Sequence, residues 1–454
     1  MFFYHLADLH IGKVVHGVSM LDNGDQRFWI DRFLELIDKK RPDAIVISGD
    51  VYDRSAPSGD SVELLDYMLT EIVKRDVPVL MVAGNHDSGQ RLAFGSEILA
   101  RHNLHICGGL GEGGEMMQVV LNDEFGPVTF WLCPYVFPTL VAQKLGDDSI
   151  KDYDTAMRCL IERQGIDSTG RNVLVAHQNV VANGQMAEFG GSESVVGGVG
   201  QIDFSAFDCF DYVALGHIHS SYHVGRKEVR YAGTPLCYHF NETRQKNKGP
   251  VMVHLGKKGS EVEIQSAVIE PKHVMRAVSG DYEDVVANEK VGAKRGEYVS
   301  VTITDRRITP EIAAYFREFY GSRESVLMEL ISSFRNSEMS IGKSHVRAEE
   351  RSLEELFTDF YRFREGDELS DVEARALQLA IESMHSVQSG DSVSDSDVAD
   401  FVSKLIKELS FADCGGEGCG PSSGRGDDGY CLSSGGDDEG CGPSSSRRDE
   451  EAGV

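Results

Sequence analysis

Residues 44–53 read Ala-Ile-Val-Ile-Ser-Gly-Asp-Val-Tyr-Asp. Five apolar and small residues are the length of a strand buried on both faces, the glycine permits an abrupt exit, and Asp50 stands where open α/β sheets carry their sites. The same figure recurs on either side. Phe2–Ala7 runs into Asp8-Leu-His10, Val77–Ala83 into Gly84-Asn-His-Asp87, Val173–Ala176 into His177, and Tyr212–Leu215 into Gly216-His-Ile-His219. Between the first two strands Ile30, Phe33, Leu34 and Ile37 recur at helical spacing, and Val62, Leu65, Leu69, Ile72 and Val73 do so between the next two. Strand and core-facing helix therefore alternate, which predicts an α/β fold. Val119–Leu132, with Gly126-Pro127 inside it, and Val229–Leu255 read as hairpins, so the sheet is expected to be mixed.

The chain has 454 residues, of which 41% are apolar, enough for about three domains with real cores. No apolar run approaches a membrane span, and Met1–His10 has no basic leader and carries Asp8, so a cytoplasmic protein is expected. Nine cysteines are too dilute for a disulfide scaffold, and Cys107, Cys133, Cys159, Cys209 and Cys237 read as small core residues. Against 45 Lys and Arg stand 73 Asp and Glu, a net charge of −28. Such a chain repels polyanions at long range, so a nucleic-acid contact requires a locally positive site.

Near Pro271 the pattern changes. Arg276–Val278, Tyr298–Ile303 and the helical Pro310–Tyr320 suggest a second, small α+β unit over residues 271–340. Beyond it, Leu353, Leu356, Phe357, Phe360 and Tyr361 mark one helical face, and a capping box at Ser370 and Glu373 opens another helix with Leu377, Ile381 and Met384. These form an expected helix pair over 341–385. Residues 386–454 turn to Gly, Ser and Asp, with a near-repeat at Gly418–Arg425 and Gly440–Arg447, and read as an acidic, mostly disordered tail.

Carboxylate, imidazole and one amide recur at five strand ends with no cysteine among them, a donor set suited to Mn²⁺, Fe²⁺ or Zn²⁺. Asp8, His10, Asp50, Asn85, His177, His217 and His219 are too many ligands for one ion, and two ions sharing a carboxylate partition them naturally. Two divalent cations outweigh two aspartates and leave a positive pocket that a phosphodiester can enter.

In this order the motifs resemble the calcineurin-like metallophosphoesterase superfamily. Tyr4–Lys13, Ile47–Asp53, Ala83–Ser88 followed by Arg91-Leu92, Tyr212–His219 and Arg230–Leu236 are similar, more narrowly, to the family of SbcD, the nuclease subunit of the bacterial SbcCD complex, a DNA double-strand-break-repair exonuclease family. The similarity covers roughly residues 1–385. It departs at Ser220-Ser-Tyr-His223, where the family has Pro-Gln, and in the acidic tail.

The resemblance implies a four-layer sandwich of two mixed β-sheets flanked by helices over 1–270, a capping domain over 271–340, and a helix pair that docks on an SbcC-type coiled-coil ATPase. It assigns Asp8, His10, Asp50 and His219 to one ion and Asp50, Asn85, His177 and His217 to the other, with Asp50 as the bridge. His86 is the non-ligand histidine that assists the leaving oxygen, and Asp87 is expected to orient it. Asp53 lines the site at a position that varies among relatives. The implied activity is Mn²⁺-dependent exonuclease action on duplex ends and endonuclease action on single strands or hairpins, by a homodimer within a heterotetramer. Lys13, Arg91, Arg226 and Arg230 are the scattered basic candidates for DNA contact. A small-substrate phosphoesterase and a non-catalytic DNA-end scaffold are the competing expectations; His86, which metal binding does not need, argues against the scaffold.

Overall fold

The computed structural model describes residues 1–182, 200–245, 248–334 and residue 358. Strands β1 (Phe2–Leu6), β2 (Ala44–Ser48), β3 (Val79–Val82) and β4 (Leu104–Cys107) pair in parallel in that order, with helices α1 (Asp25–Lys40) and α2 (Gly59–Val73) as crossovers. A hairpin, β5 (Met117–Asp123) and β6 (Gly126–Cys133), starts a second sheet. After helices α3 (Pro138–Leu145) and α4 (Tyr153–Gln164), β7 (Arg171–His177) joins β6 in parallel. β8 (Tyr212–Gly216) lies parallel to β7, and the hairpin of β9 (Tyr222–Val224) and β10 (Arg226–Tyr231) completes this sheet with β10 beside β8. The chain then returns to the first sheet with β11 (Val251–His254), antiparallel to β1, and β12 (Glu263–Ser266). Two six-stranded mixed sheets result, ordered β12-β11-β1-β2-β3-β4 and β9-β10-β8-β7-β6-β5.

Phe3, Val46, Leu80, Phe130, Val173 and Tyr212 fill the space between the sheets. Trp29, Phe33, Ile37, Leu65 and Met68 seat α1 and α2 on the outer face of the first sheet, while Val141, Met157 and Leu160 seat α3 and α4 on the second. The stack is helix, sheet, sheet, helix, the expected α/β sandwich. Its central strands are covered on both faces, which is why they read as unbroken apolar runs.

The α1 stripe is as expected, all four residues being buried. In α2 the stripe is rotated: Val62 is 46% exposed, and Ser61, Leu64, Leu65, Met68 and Ile72 face inward. The Ser58 hydroxyl caps this helix by accepting from Ser61 N–H at 3.2 Å. Val62, about 100° of helix rotation from Ser61, points away. The hairpin expected over Val229–Leu255 is not formed, because β10 and β11 belong to different sheets.

After Pro271 comes a three-stranded parallel sheet of β13 (Met275–Gly280), β14 (Tyr298–Ile303) and β15 (Val326–Ser332), with α5 (Tyr282–Gly292) and α6 (Pro310–Gly321) packed on it through Val285, Phe316 and Tyr320. It falls in one compact unit with the sandwich. Asp25, buried in the first turn of α1, accepts from the Tyr298 hydroxyl at 2.7 Å and lies 2.9 Å from His273 Nδ1. The next residue, Gln26, donates from Nε2 to the carbonyl of His10 at 2.8 Å. The expected helix pair and acidic tail lie outside the described residues. Among the described residues no helix is long and apolar enough to cross a membrane, and Cys107, Cys133, Cys159, Cys209 and Cys237 are free thiols.

Candidate metal centre at the joined strand ends

β1, β2 and β3 of one sheet end beside β7 and β8 of the other. Register does the first part of the placement: His177 pairs with Gly216, so His177 and His217 leave the second sheet as neighbours. Beyond β1 and β2 the pairing continues into the loops, Asp8 N–H donating to Gly49 O and His10 N–H to Asp50 O, both at 3.0 Å. These loops are tightly wound. Asp8, His10, Asp50 and His217 hold φ values of 52°, 42°, 48° and 105°, conformations that cost an L-residue on the order of 1 kcal/mol each and cluster at functional sites. The glycines serve close approach: a Cβ on Gly84 would lie 2.1 Å from Asp50 Oδ1 and one on Gly216 1.9 Å from Ser48 O. Gly49 combines a φ of 83° with a Cβ position 2.4 Å from His177 Nδ1.

All seven expected ligands converge here. The ligand atoms of Asp8, His10 and His219 lie within 4.8 Å of one another, as do those of Asp8, Asp50 and His177. Asp50 Oδ2 is the hub, 3.3 Å from His177 Nε2 and 3.7 Å from His10 Nε2. Asn85 Oδ1 sits 2.9 Å from His177 Nε2 and 3.1 Å from His217 Nδ1, and His10 Nε2 is 3.1 Å from His219 Nε2. Asp8 accepts from His217 N–H at 3.0 Å.

The donor directions test whether cations fit. A backbone carbonyl can only accept, so the 2.8 Å contact of His177 Nδ1 with Ser48 O places a proton on Nδ1. In a neutral ring the Nε2 lone pair then faces two oxygens, Asn85 Oδ1 and Asp50 Oδ2. His219 Nδ1 lies 3.1 Å from Glu242 Oε1 and donates to it, which turns its Nε2 lone pair toward His10. His10 Nδ1 is buried with no hydrogen-bond partner. Lone pairs converging inside a buried cluster with two carboxylates are the arrangement that a pair of divalent cations satisfies.

The electrostatics agree. Burial, together with the neighbouring Asp50, pushes the Asp8 carboxyl well above its ordinary range. Burial acts on Asp50 in the same sense, but His177 and His10 outweigh it and hold that carboxyl far below. His177 is drawn down by burial yet carried up to about 9 by Asp50, and burial and His177 press His217 down to about 3. Burial also lowers His10 and His219.

His86 is exposed at the rim, its Nε2 4.0 Å from Asp50 Oδ2. Asp87 does not orient it. The Asp87 carboxylate is taken up by three backbone amides, those of Gly84 at 2.9 Å, Tyr52 at 2.9 Å and Val51 at 3.1 Å, and so ties the two motif loops together. The His86 ring instead donates from Nδ1 to the backbone carbonyl of Asp53 at 3.0 Å. The Asp53 side chain accepts from Lys13 at 2.7 Å and is held down to about 2, burial being outweighed by His10 and Lys13. Of the basic candidates, Arg226 turns inward to the carbonyls of Phe207 and Phe210 and offers nothing to a substrate. Glu242 and Lys248 were not expected from the sequence. Their one signal was an acidic residue inside the apolar stretch that follows Arg230–Leu236.

Residues 1–221 match the calcineurin-like phosphoesterase family, and residues 271–365 a family described as the type 5 capsule protein repressor C-terminal domain. The SbcD subunit of nuclease SbcCD from Staphylococcus epidermidis is 26% identical over 378 residues, covering 82% of this chain and 96% of its own. The protein of the same name from Staphylococcus saprophyticus is 26% identical over 383 residues with the same coverage. The crystal structure of TT1561 of Thermus thermophilus covers 58% of this chain and 98% of its own at 12% identity and a TM-score of 0.34, a likeness too weak to bear on function.

Proposed function

From the premise that this chain belongs to the calcineurin-like phosphoesterase family, we propose that it is a metal-dependent DNA nuclease subunit that hydrolyses phosphodiester bonds with two divalent ions, most suitably Mn²⁺, at the joined strand ends. The observation that carries the reading is the convergence of inward lone pairs on Asp50 from both sheets. Asp8, His10, Asp50 and His219 would hold one ion, and Asp50, Asn85, His177 and His217 the other. When bound, such ions lower the pKa of water and neutralise charge developing on the phosphate.

The chain's own residues do the rest. Asp50 binds at the centre of the two groups, and the Asp87 carboxylate keeps its loop against Gly84. The Asp53 carbonyl holds a proton on His86 Nδ1, so the ring presents Nε2 toward the site. As the bond from phosphorus to the leaving oxygen breaks, His86 in its imidazolium form gives its Nε2 proton to that oxygen.

The likeness in length and sequence to the SbcD subunits of staphylococcal SbcCD nucleases supports duplex ends and hairpins as substrates and an SbcC-type coiled-coil ATPase as partner. Residues 271–340 would cap the DNA cleft and residues 341–385 would dock on the ATPase, in a homodimer within a heterotetramer. The decisive experiment is His86→Ala, assayed with Mn²⁺ on blunt duplex DNA and on a nucleotide monoester, with metal content measured alongside. Retained Mn²⁺ with lost DNA cleavage is expected; a variant that still cleaves ends the assigned role, and a wild type active only on the monoester transfers the site to a small substrate.

A further inference from the structure

We infer that Glu242 is the positioning residue for His219, setting the imidazole so that its Nε2 faces the metal centre. The inference rests on the dimetal reading above and adds a part to it that lies outside every motif. His219 is gripped at both ends. Its ring donates from Nδ1 to Glu242 Oε1 at 3.1 Å, and its backbone carbonyl accepts from Thr234 N–H at 3.1 Å and Lys248 Nζ at 3.2 Å. The same two residues fix the carboxylate: Glu242 Oε2 accepts from the Thr234 hydroxyl at 3.1 Å, from Tyr238 N–H at 3.1 Å, and lies 2.8 Å from Lys248 Nζ. Glu242 is 1% exposed, so no water competes for its oxygens.

The consequence is a fixed tautomer. With Nδ1 donating to a carboxylate whose other oxygen is already held by three donors, the proton cannot be relocated to Nε2 without breaking the contact. The Nε2 lone pair therefore stays aimed at His10 Nε2, 3.1 Å away, where an ion would sit between the rings. The partner of His177 on the other side is a backbone carbonyl, which no side-chain substitution removes. Of the two groups of ligands, the one containing His219 is thus the one a distant side chain can loosen.

The test is Glu242→Ala, with Mn²⁺ titrated into the metal-free full chain by calorimetry and the tautomer of His219 read by ring ¹⁵N chemical shifts without metal, its signals assigned through His219→Gln. Affinity for one of the two ions is expected to fall roughly tenfold to a hundredfold. The second ion should bind as before, and the His219 ring should lose its single Nδ1–H form. Glu289→Gln, a change at an equally buried carboxylate beyond Pro271, should leave both ions and the tautomer unchanged. A folded Glu242→Ala protein that binds both ions like the wild type, with an unaltered His219 tautomer, overturns the inference. If that variant does not fold, Thr234→Val takes its place: several-fold weaker binding of the same one ion supports the inference, and unchanged affinity for both overturns it. A wild type that binds fewer than two ions overturns the dimetal reading itself, an outcome distinguishable from the others before any variant is made.

Discussion

Adding a single methyl group at Gly84 tests the whole placement of the centre. A Cβ there lies 2.1 Å from Asp50 Oδ1, 2.3 Å from Asp50 N and 2.8 Å from Asp50 Cγ. Ordinary contact begins at 3.4 Å, so the Asp50 loop or the Gly84 loop must give way by about 1.3 Å. Neither has a soft direction: Asp87 ties both together through backbone amides, and His86 N–H donates to Asp50 Oδ1 at 2.9 Å. Overpacking of this kind costs typically ~1–3 kcal/mol of stability, which a protein of this size survives. Function is less tolerant, because a misplacement of about 1 Å can cost on the order of 100-fold in rate. Gly84→Ala is therefore expected to stay folded by circular dichroism, to bind Mn²⁺ at least tenfold more weakly by calorimetry, and to lose ~100-fold in hydrolysis of bis(p-nitrophenyl) phosphate. Gly59→Ala, where an added Cβ meets nothing within 4 Å, is the control. Unaltered Mn²⁺ affinity and turnover in Gly84→Ala would refute the argument that Asp50 is held at the middle of the site by close approach of these loops.

Removal of metal exposes a pH dependence carried by His177. Because Asp50 raises its folded value to about 9, its contribution to stability is full below about 6.5, the value of a free histidine, and is lost as pH climbs through 9. Urea unfolding in EDTA should thus show falling stability between about pH 6.5 and 9, with a flatter profile in His177→Gln; identical slopes for the two proteins would contradict the pairing. Beyond Pro271, Arg276 joins Glu289 at 2.7 Å and Glu297 at 2.9 Å, carboxylates only 4% and 5% exposed. Arg276→Met strands both and should cost ~3–5 kcal/mol by chemical denaturation, and a loss below about 1 kcal/mol would show that water reaches them.

Much of the sandwich was legible in the sequence because strands covered on both faces must be apolar from end to end, and Ala44–Ser48 has the very bounds its composition suggests. The α2 stripe was misread at Val62 because apolar residues on adjacent helical columns blur the direction of the buried face. Val229–Leu255 misled for a different reason: two strands close in sequence look like partners, and only the space left beside β1 and β8 sends them to different sheets. At the site, the residue types at the strand ends announced themselves. What they touch did not, since an aspartate next to a histidine in the chain suggests a pair, whereas the backbone amides of Val51, Tyr52 and Gly84 claim Asp87 first. Glu242 was invisible because its contact with His219 spans 23 residues and exists only once the segment after β10 folds back.

The centre straddles a seam. Asp8, Asp50 and Asn85 come from one sheet, His177, His217 and His219 from the other, and the two are joined by apolar side chains that have no directional bonds of their own. Sliding one layer against its neighbour by a fraction of an ångström would pull the two halves of the ligand set out of alignment while leaving every strand intact. Phe3 against Phe130, with ring centroids 5.6 Å apart, belongs in that sense to the chemistry as much as to the fold. Conservative trimming of the layer between the sheets should blunt ion binding well before it lowers the melting temperature.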